Sequence, residues 1–163
     1  MGIFSAAIAL FGKGGVGQQE RLPECPPKDE GETKCTVLVI DDDPTVLLTV
    51  KTLLVKRGFN VLSTSSSPKG LDMLRYAARD IRIVVLDYSM PKLNGEETLK
   101  FVRQLSPTAK VIGITAMKLD SLPKEYAAGV DKLLTKPVNA TELVGALDEL
   151  LGDGQTASLA IEP

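Results

Sequence analysis

The amino-acid sequence predicts an α/β fold, a doubly wound parallel sheet of five strands with five helices. Short apolar segments rich in β-branched residues alternate with amphipathic segments of helical length. Parallel strands need crossover connections, and the right-handed rule for these connections places helices on both faces of the sheet. The 163-residue chain is 44% hydrophobic and 25% charged, so it can bury a core without disulfides or structural metal.

The pattern of apolar residues gives approximate bounds for each element. The predicted strands are residues 36–40, 59–63, 81–86, 110–114 and 131–135. The predicted helices are residues 44–57, 68–78, 94–106, 122–128 and 140–151. The fourth helix is short because Pro123 confines it, and the second strand is weakly apolar, as expected near a sheet edge.

Capping signals support the predicted helix ends. Ser, Asp and Asn side chains accept hydrogen bonds from the first free N–H groups of a helix, and Pro fits the first turn. The predicted caps are Asp43 before Pro44, Ser67 before Pro68, Ser121 for the fourth helix, Asn139 with Glu142 as a capping box, and Gly58 as a C-terminal stop. The Ser-rich loop before residue 68 has a second interpretation as a phosphate-binding loop.

The third strand contains the strongest functional signal of the chain. Residues 81–86 form an almost unbroken apolar run, typical of a strand buried on both faces of a parallel sheet. Asp87 follows at its carboxyl end, where open α/β sheets bind ligands. Burial of an unpaired carboxylate destabilises a fold, so its presence here indicates a function. The alternative is that Asp87 is a simple turn residue.

Polar residues also follow the first, fourth and fifth strands, and the carboxyl ends of parallel strands share one edge of the sheet. With Asp87, the residues expected at this edge are Asp41, Asp42, Thr115 and Lys136. Carboxylates this close repel one another unless a cation compensates, and few oxygen ligands with room for water suit Mg²⁺. A carboxylate can also accept a phosphoryl group, with lysine and hydroxyl contacts stabilising it. Singly, each residue also fits a cap, a strand-end hydroxyl or a solvated charge.

Composition excludes several classes of function. The chain contains no His, which excludes Ser-His-Asp and Cys-His catalysis, histidine zinc sites and an internal phosphohistidine donor. The net charge of −2 and the absence of Trp argue against nucleic-acid binding. The cysteines, Cys25 and Cys35, are too few for a disulfide framework and are predicted to be reduced.

Four segments of the chain carry the motifs of a known family. Val39-Ile40-Asp41-Asp42-Asp43-Pro44, Leu86-Asp87-Tyr88-Ser89-Met90-Pro91, Thr115-Ala116 and Lys136-Pro137 resemble, in order and spacing, the marks of a response-regulator receiver domain. The resemblance covers about residues 36–151 and is to the single-domain, chemotaxis-type regulators. It implies a flavodoxin-like sheet of order 2-1-3-4-5.

The resemblance also implies a role for each motif residue. Asp87 is expected to be the phosphoacceptor, and Asp41, Asp42, Asp87 and the Ser89 backbone carbonyl are expected to hold Mg²⁺. The residues expected to contact the phosphoryl group and switch are Thr115, Ala116 and Lys136, and the peptide bond before Pro137 is expected to be cis.

The expected partners are a histidine kinase or phosphotransfer protein as donor and a downstream protein partner. Direct nucleic-acid contact is not expected, and the resemblance implies a cytoplasmic, non-enzymatic protein that catalyses only its own phosphorylation and dephosphorylation. No output domain is expected after the fifth helix.

The regions outside the receiver are expected to be appendages. Residues 1–35 form an extension, mostly flexible, with a short apolar patch at 3–11, and residues 152–163 form a C-terminal tail. The patch is too short to span a bilayer, which needs about 20 residues, so membrane contact is expected only through this patch. The glycines at 12–17 lack the Lys-Ser/Thr of a phosphate-binding loop.

Two departures from the family pattern leave alternatives open. Leu133 stands at the switch position where an aromatic residue is usual, and the short fourth helix changes the usual output face. The alternative is a pseudo-receiver that binds partners without phosphorylation. A hydrolase of the haloacid-dehalogenase type is disfavoured because Ser89 occupies the position of its second acidic residue.

Overall fold

The computed structural model describes residues 35–152. In this part of the chain, five parallel strands form one sheet in the order β2-β1-β3-β4-β5. The predicted fold class and strand order are therefore confirmed. The predictions for residues 1–34, which include Cys25, and for residues 153–163 lie outside the described residues. Cys35 is described and has a free thiol.

Strands and helices alternate strictly within the described residues. The strands are β1 (Thr36–Ile40), β2 (Asn60–Thr64), β3 (Ile81–Asp87), β4 (Lys110–Thr115) and β5 (Lys132–Thr135). The helices are α1 (Pro44–Lys56), α2 (Ser67–Ala77), α3 (Gly95–Leu105), α4 (Lys124–Gly129) and α5 (Ala140–Leu151). A short 3₁₀ turn, Leu119–Ser121, precedes α4. Strand β2 lies one residue later than predicted.

The core has two apolar layers, one on each side of the sheet. The first layer lies between the sheet and helices α2, α3 and α4, and includes Leu86, Leu74, Val102 and Tyr126. The second lies between the sheet and helices α1 and α5. It is made of Val37, Val39, Val50, Leu54, Ile83, Val85, Ile112, Ile114, Leu143, Ala146 and Leu147. Strand β3 contributes side chains to both layers, because successive side chains of a strand point to opposite faces. Asp87 is the last residue of this buried strand.

Three of the predicted helix ends form as expected. Oδ1 of Asp43 accepts hydrogen bonds from the N–H groups of Thr45 at 2.7 Å and Val46 at 3.4 Å. Gly58 follows α1 with φ of 79°, the left-handed conformation that favours glycine after a helix. The side chain of Asn139 caps α5 by accepting from the N–H of Thr141 at 2.8 Å.

The prediction that Ser67 caps the second helix is wrong. Ser67 lies inside α2 and is buried, and its hydroxyl donates to the carbonyl oxygen of Leu93 at 3.0 Å. Ser66 is the N-cap residue, without a side-chain capping bond. The hydroxyl therefore ties α2 to the loop after β3, a tertiary contact that outweighs local capping.

One other predicted cap is wrong, and one predicted capping box is absent. Ser121 ends the 3₁₀ turn, and Pro123 takes the N-cap position of α4 without a side-chain bond, so the helix begins two residues later than predicted. The side chain of Asn139 accepts from the second rather than the third helical residue, so its capping box with Glu142 is not formed. A full capping box instead begins α3, where Asn94 and Glu97 exchange bonds.

No helix within residues 35–152 is long and apolar enough to cross a membrane.

Candidate functional site

Strands β1 and β3 are neighbours in the sheet, and a buried carboxylate lies at the carboxyl end of each. Asp41 follows β1 directly and Asp87 is the last residue of β3, and each residue is 1% exposed. Asp42 is exposed beside them. One carboxylate oxygen from each of the three residues lies within 4.8 Å of the others. The convergence predicted from the strand ends is present in the structure.

Backbone hydrogen bonds hold Asp41 in place. Its N–H donates to the carbonyl oxygen of Thr64 at 3.3 Å, which extends the β1–β2 pairing by one residue. Its Oδ1 accepts from the N–H of Asp43 at 2.9 Å. The carboxylate is therefore oriented by the same turn that starts α1.

Lys136 reaches both buried carboxylates from the end of β5. Its Nζ lies 3.0 Å from Oδ2 of Asp41 and 3.2 Å from Oδ1 of Asp87, with a hydrogen bond of 3.2 Å to Oδ1 of Asp41. The backbone N–H of Lys136 donates to the carbonyl oxygen of Thr115 at 2.8 Å, and the Lys136–Pro137 peptide is cis.

The three carboxylates carry more negative charge than one lysine can neutralise. Burial, and then the charge of Asp41, raise the pKa of Asp87 above its ordinary value, against the effect of Lys136. Burial opposes ionisation of Lys136, but the hydrogen bond to Asp41 and the charges of Asp87 and Asp41 outweigh it and raise its pKa. The site therefore has a charge imbalance that favours a second cation.

Unsatisfied acceptors show that the residues fit a divalent metal. Both carboxylate oxygens of Asp87 and Oδ2 of Asp41 are buried and accept no hydrogen bond from the described residues. Buried acceptors of this kind are rare without a ligand, and Mg²⁺ prefers carboxylate oxygens.

The other predicted site residues surround this cluster. Thr115 ends β4 and is fully buried, and its Oγ1 accepts from the N–H of Met117 at 3.0 Å. Because Asp87 pairs with Ile114, the end of β4 lies directly beside the end of β3. Ala116 and Ser89 are exposed in the loops that follow these two strands.

The loop after β3 returns tightly under Asp87. A Cβ at Gly95 would lie 2.6 Å from Cα of Tyr88 and 2.8 Å from the carbonyl oxygen of Asp87, so only glycine fits. Lys92 in this loop has φ of 72°, an unusual conformation for a residue with a side chain. Both features fix the course of the backbone beside the carboxylates.

Tyr126 of α4 is a residue near the site that was not predicted from the sequence. Its side chain is fully buried in the first core layer, while Leu133, the residue at the position of the usual switch aromatic, is half-buried against the same layer. An isolated glycine inside a strand often marks a close approach of another group. Gly113 was that signal, because a Cβ there would lie 2.8 Å from the Tyr126 hydroxyl.

The geometry agrees with the similarity to known proteins. Residues 37–148 match the family described as response regulator receiver domain. The chain is 38% identical over 117 residues to the transcriptional regulatory protein CpxR of Escherichia coli (strain K12), covering 71% of this chain and 48% of CpxR.

Solved receiver structures have the same fold. A response regulator receiver domain protein from Clostridium thermocellum has 35% sequence identity and a TM-score of 0.67, covering 72% of this chain and 94% of that chain. The BeF₃-activated DrrB receiver domain has 26% identity and a TM-score of 0.64, covering 72% and 97%.

The match to the family is long, but the curated relatives extend beyond it. The chain spans about half the length of CpxR. The matched residues include every strand of the sheet except Thr36 at the start of β1. The chain belongs to the response-regulator receiver domain family of two-component signalling proteins.

Proposed function

We propose that Asp87 accepts a phosphoryl group with Mg²⁺ bound beside it. The observation that carries this proposal is the buried carboxylate of Asp87, whose oxygens accept no hydrogen bond from the described residues. This carboxylate lies next to Lys136 and two further carboxylates. The BeF₃-activated state of the related DrrB receiver domain supports a phosphoryl-like ligand in this fold.

The residues proposed to hold Mg²⁺ are Asp41, Asp42 and Asp87, together with the backbone carbonyl of Ser89. When bound, the metal would neutralise the carboxylates and the incoming phosphoryl oxygens. This assignment accounts for the charge imbalance, because a hard divalent cation suits carboxylate and carbonyl oxygens at one small site.

The chemical step needs little beyond positioning. A free oxygen of the Asp87 carboxylate attacks the phosphorus of a phosphohistidine, the P–N bond breaks, and the electron pair remains on the imidazole nitrogen. Lys136 stabilises the charge on the transferring phosphoryl group, and Thr115 donates a hydrogen bond to it beside the backbone of Ala116. Water later attacks the phosphorus of the aspartyl phosphate, the P–O bond to Asp87 breaks, and inorganic phosphate leaves while the carboxylate is restored.

The proposed phosphoryl transfer requires a donor protein and a partner that receives the signal. The donor is a histidine kinase or phosphotransfer protein, since the chain itself has no His. The signal leaves through a protein partner that binds the phosphorylated form. Residues 36–151 are the proposed receiver unit, flanked by the extension and the tail. Its proposed location is the cytoplasm, where ATP is available to the kinase that phosphorylates it.

Uptake of phosphoryl from acetyl phosphate tests the proposal without the unidentified kinase. We expect wild type to gain one phosphoryl group by intact mass in Mg²⁺ and none in excess chelator. Asp87→Asn should gain none. Asp43→Asn is the matched control, because Asn also caps helices well and Asp43 lies outside the three-carboxylate cluster. Equal uptake by wild type and Asp87→Asn would overturn the assignment and revive a phosphorylation-independent module.

A further inference from the structure

The hydroxyl of Tyr126 is buried without a partner. The residue is 0% exposed, and its oxygen makes no hydrogen bond with any described residue. A buried hydroxyl left unpaired is destabilising, and buried tyrosines usually find a hydrogen-bond partner. The present arrangement is therefore a state that a hydrogen-bonding alternative would displace.

The hydroxyl lies beside Gly113 in the middle of β4, where the strand has no side chain. A Cβ there would lie 2.8 Å from the hydroxyl oxygen and 3.0 Å from Cδ2 of Leu133. Thr115 is two residues further along β4, on the same face of the sheet. The next side chain toward the site carboxylates along this strand is therefore a buried hydroxyl.

The ring of Tyr126 also contacts the ring of Tyr88, the residue that follows β3. Its centroid is 4.8 Å from that of Tyr88, with the planes tilted by 60°. Tyr88 directly follows Asp87 and is half-buried. Burial, followed by the charges of Asp87 and Tyr88, raises the pKa of Tyr126, so the hydroxyl keeps its proton and remains a donor.

Helix α4 is weakly anchored for an element that carries a buried aromatic residue. It has six residues, its N-cap residue Pro123 makes no side-chain capping bond, and it follows a 3₁₀ turn with no buried residue. Short helices have little stability of their own. Movement of Tyr126 is therefore coupled to movement of α4 and the loop before it.

We propose that Tyr126 is the switch aromatic of this chain, supplied from α4 in place of an aromatic at Leu133. In the phosphorylated state its hydroxyl leaves the space over Gly113 and donates a hydrogen bond to Oγ1 of Thr115, whose own hydroxyl donates to the phosphoryl group. A threonine hydroxyl has one donor and two acceptor positions, so it can serve in this relay.

This inference rests on the proposed function, because Thr115 turns only when a phosphoryl group is present at Asp87. Tyr126 acts as a positioning residue, since it touches no reacting atom. Removal of the Tyr126 hydroxyl should therefore lower the affinity for a phosphoryl-like ligand. The ligand-bound state would lose a hydrogen bond, whereas the unliganded state would lose only an unpaired hydroxyl.

The test measures beryllofluoride affinity in Mg²⁺ by calorimetry, with the full chain. We expect Tyr126→Phe to bind at least about fivefold more weakly than wild type, the value of one net hydrogen bond. Tyr76→Phe is the matched control, because Tyr76 is 76% exposed, and it should bind as wild type does. In a Thr115→Val background, Tyr126→Phe should cause no further loss.

The possible failures are distinguishable. If wild type binds no beryllofluoride, the proposed function fails, and this inference fails with it. If Tyr126→Phe binds within twofold of wild type, the phosphoryl site stands and the switch role of Tyr126 is overturned. Lower unfolding stability of unliganded Tyr126→Phe would also overturn it, because the hydroxyl would then have a partner in the resting state.

Discussion

Replacing Lys136 by Met tests the electrostatics of the acidic site. The substitution keeps a long side chain but removes the ammonium that contacts Asp41 and Asp87. Both carboxylates are 1% exposed, so solvent reaches them poorly. We expect the variant to fold but to lose stability in metal-free buffer, because two buried carboxylates then lack a counter-charge.

The magnitude follows from the distances. At 3.0 Å and 3.2 Å, each ion pair of Lys136 has an attraction of about 5 kcal/mol at an effective dielectric constant near 20. Much of this is offset by the cost of burying the ammonium. Breaking buried ion pairs by removing one partner costs about 3–5 kcal/mol of unfolding free energy, which is the loss we expect here.

The assay is denaturant unfolding with chelator and again with saturating Mg²⁺. Mg²⁺ should stabilise Lys136→Met more than wild type, because the metal replaces part of the missing positive charge. Lys132→Met is the control, since Lys132 pairs with Glu149 at 2.6 Å on the surface, where the side chains are 34% and 64% exposed. That variant should lose less than about 1 kcal/mol, with no change in its response to Mg²⁺.

A loss below about 1 kcal/mol for Lys136→Met in chelator would refute this reasoning. Equal stabilisation of wild type and variant by Mg²⁺ would contradict it as well. Either result would mean that Lys136 does not balance the charge of the carboxylates.

Three further predictions concern the loop after β3 and the opposite end of the sheet. Lys92→Gly should raise the unfolding free energy by about 1 kcal/mol, because glycine relieves the left-handed backbone at φ of 72°; a lower denaturation midpoint would contradict this. Gly95→Ala should both destabilise the fold and weaken Mg²⁺ binding by calorimetry, because its Cβ would clash with the backbone of Tyr88; unchanged metal affinity would count against it. Although burial opposes it, hydrogen bonds from Arg103 and a backbone N–H hold the pKa of Asp131 below its ordinary value. Stability from Asp131 is therefore present above about pH 4 and lost as the pH falls through the lower, folded-state pKa. Asp131→Asn should unfold more easily than wild type at pH 7, with a difference that shrinks below pH 4; a constant difference would refute the assignment.

The main features of the site could be predicted because they depend on local patterns and one topological rule. The apolar run of β3 ending in Asp87 indicated a buried strand, and the common edge of parallel strands placed Asp41 and Lys136 beside it. Asp43 was recognisable as a cap because the bonds that it accepts come from the next few residues. Predictions of this kind need no knowledge of packing.

The predictions that failed depended on contacts distant in sequence. Ser67 has the local signature of a cap, but its hydroxyl bonds to the carbonyl oxygen of Leu93, 26 residues away. Likewise, Tyr126 looked like an ordinary helix residue, and only the folded sheet shows its hydroxyl over Gly113. The sequence shows that Leu133 replaces the usual aromatic residue, but it does not show that Tyr126 packs in the same core layer.

Locating the phosphoryl group on the chain tests the central claim most directly. Borohydride reduces an acyl phosphate to an alcohol, so treatment after acetyl phosphate and Mg²⁺ converts a phosphorylated aspartate to homoserine. Peptide mass spectrometry should find homoserine at position 87, and not in samples treated with chelator. Homoserine at position 41 or 42, or none at position 87 despite phosphoryl uptake, would contradict the account.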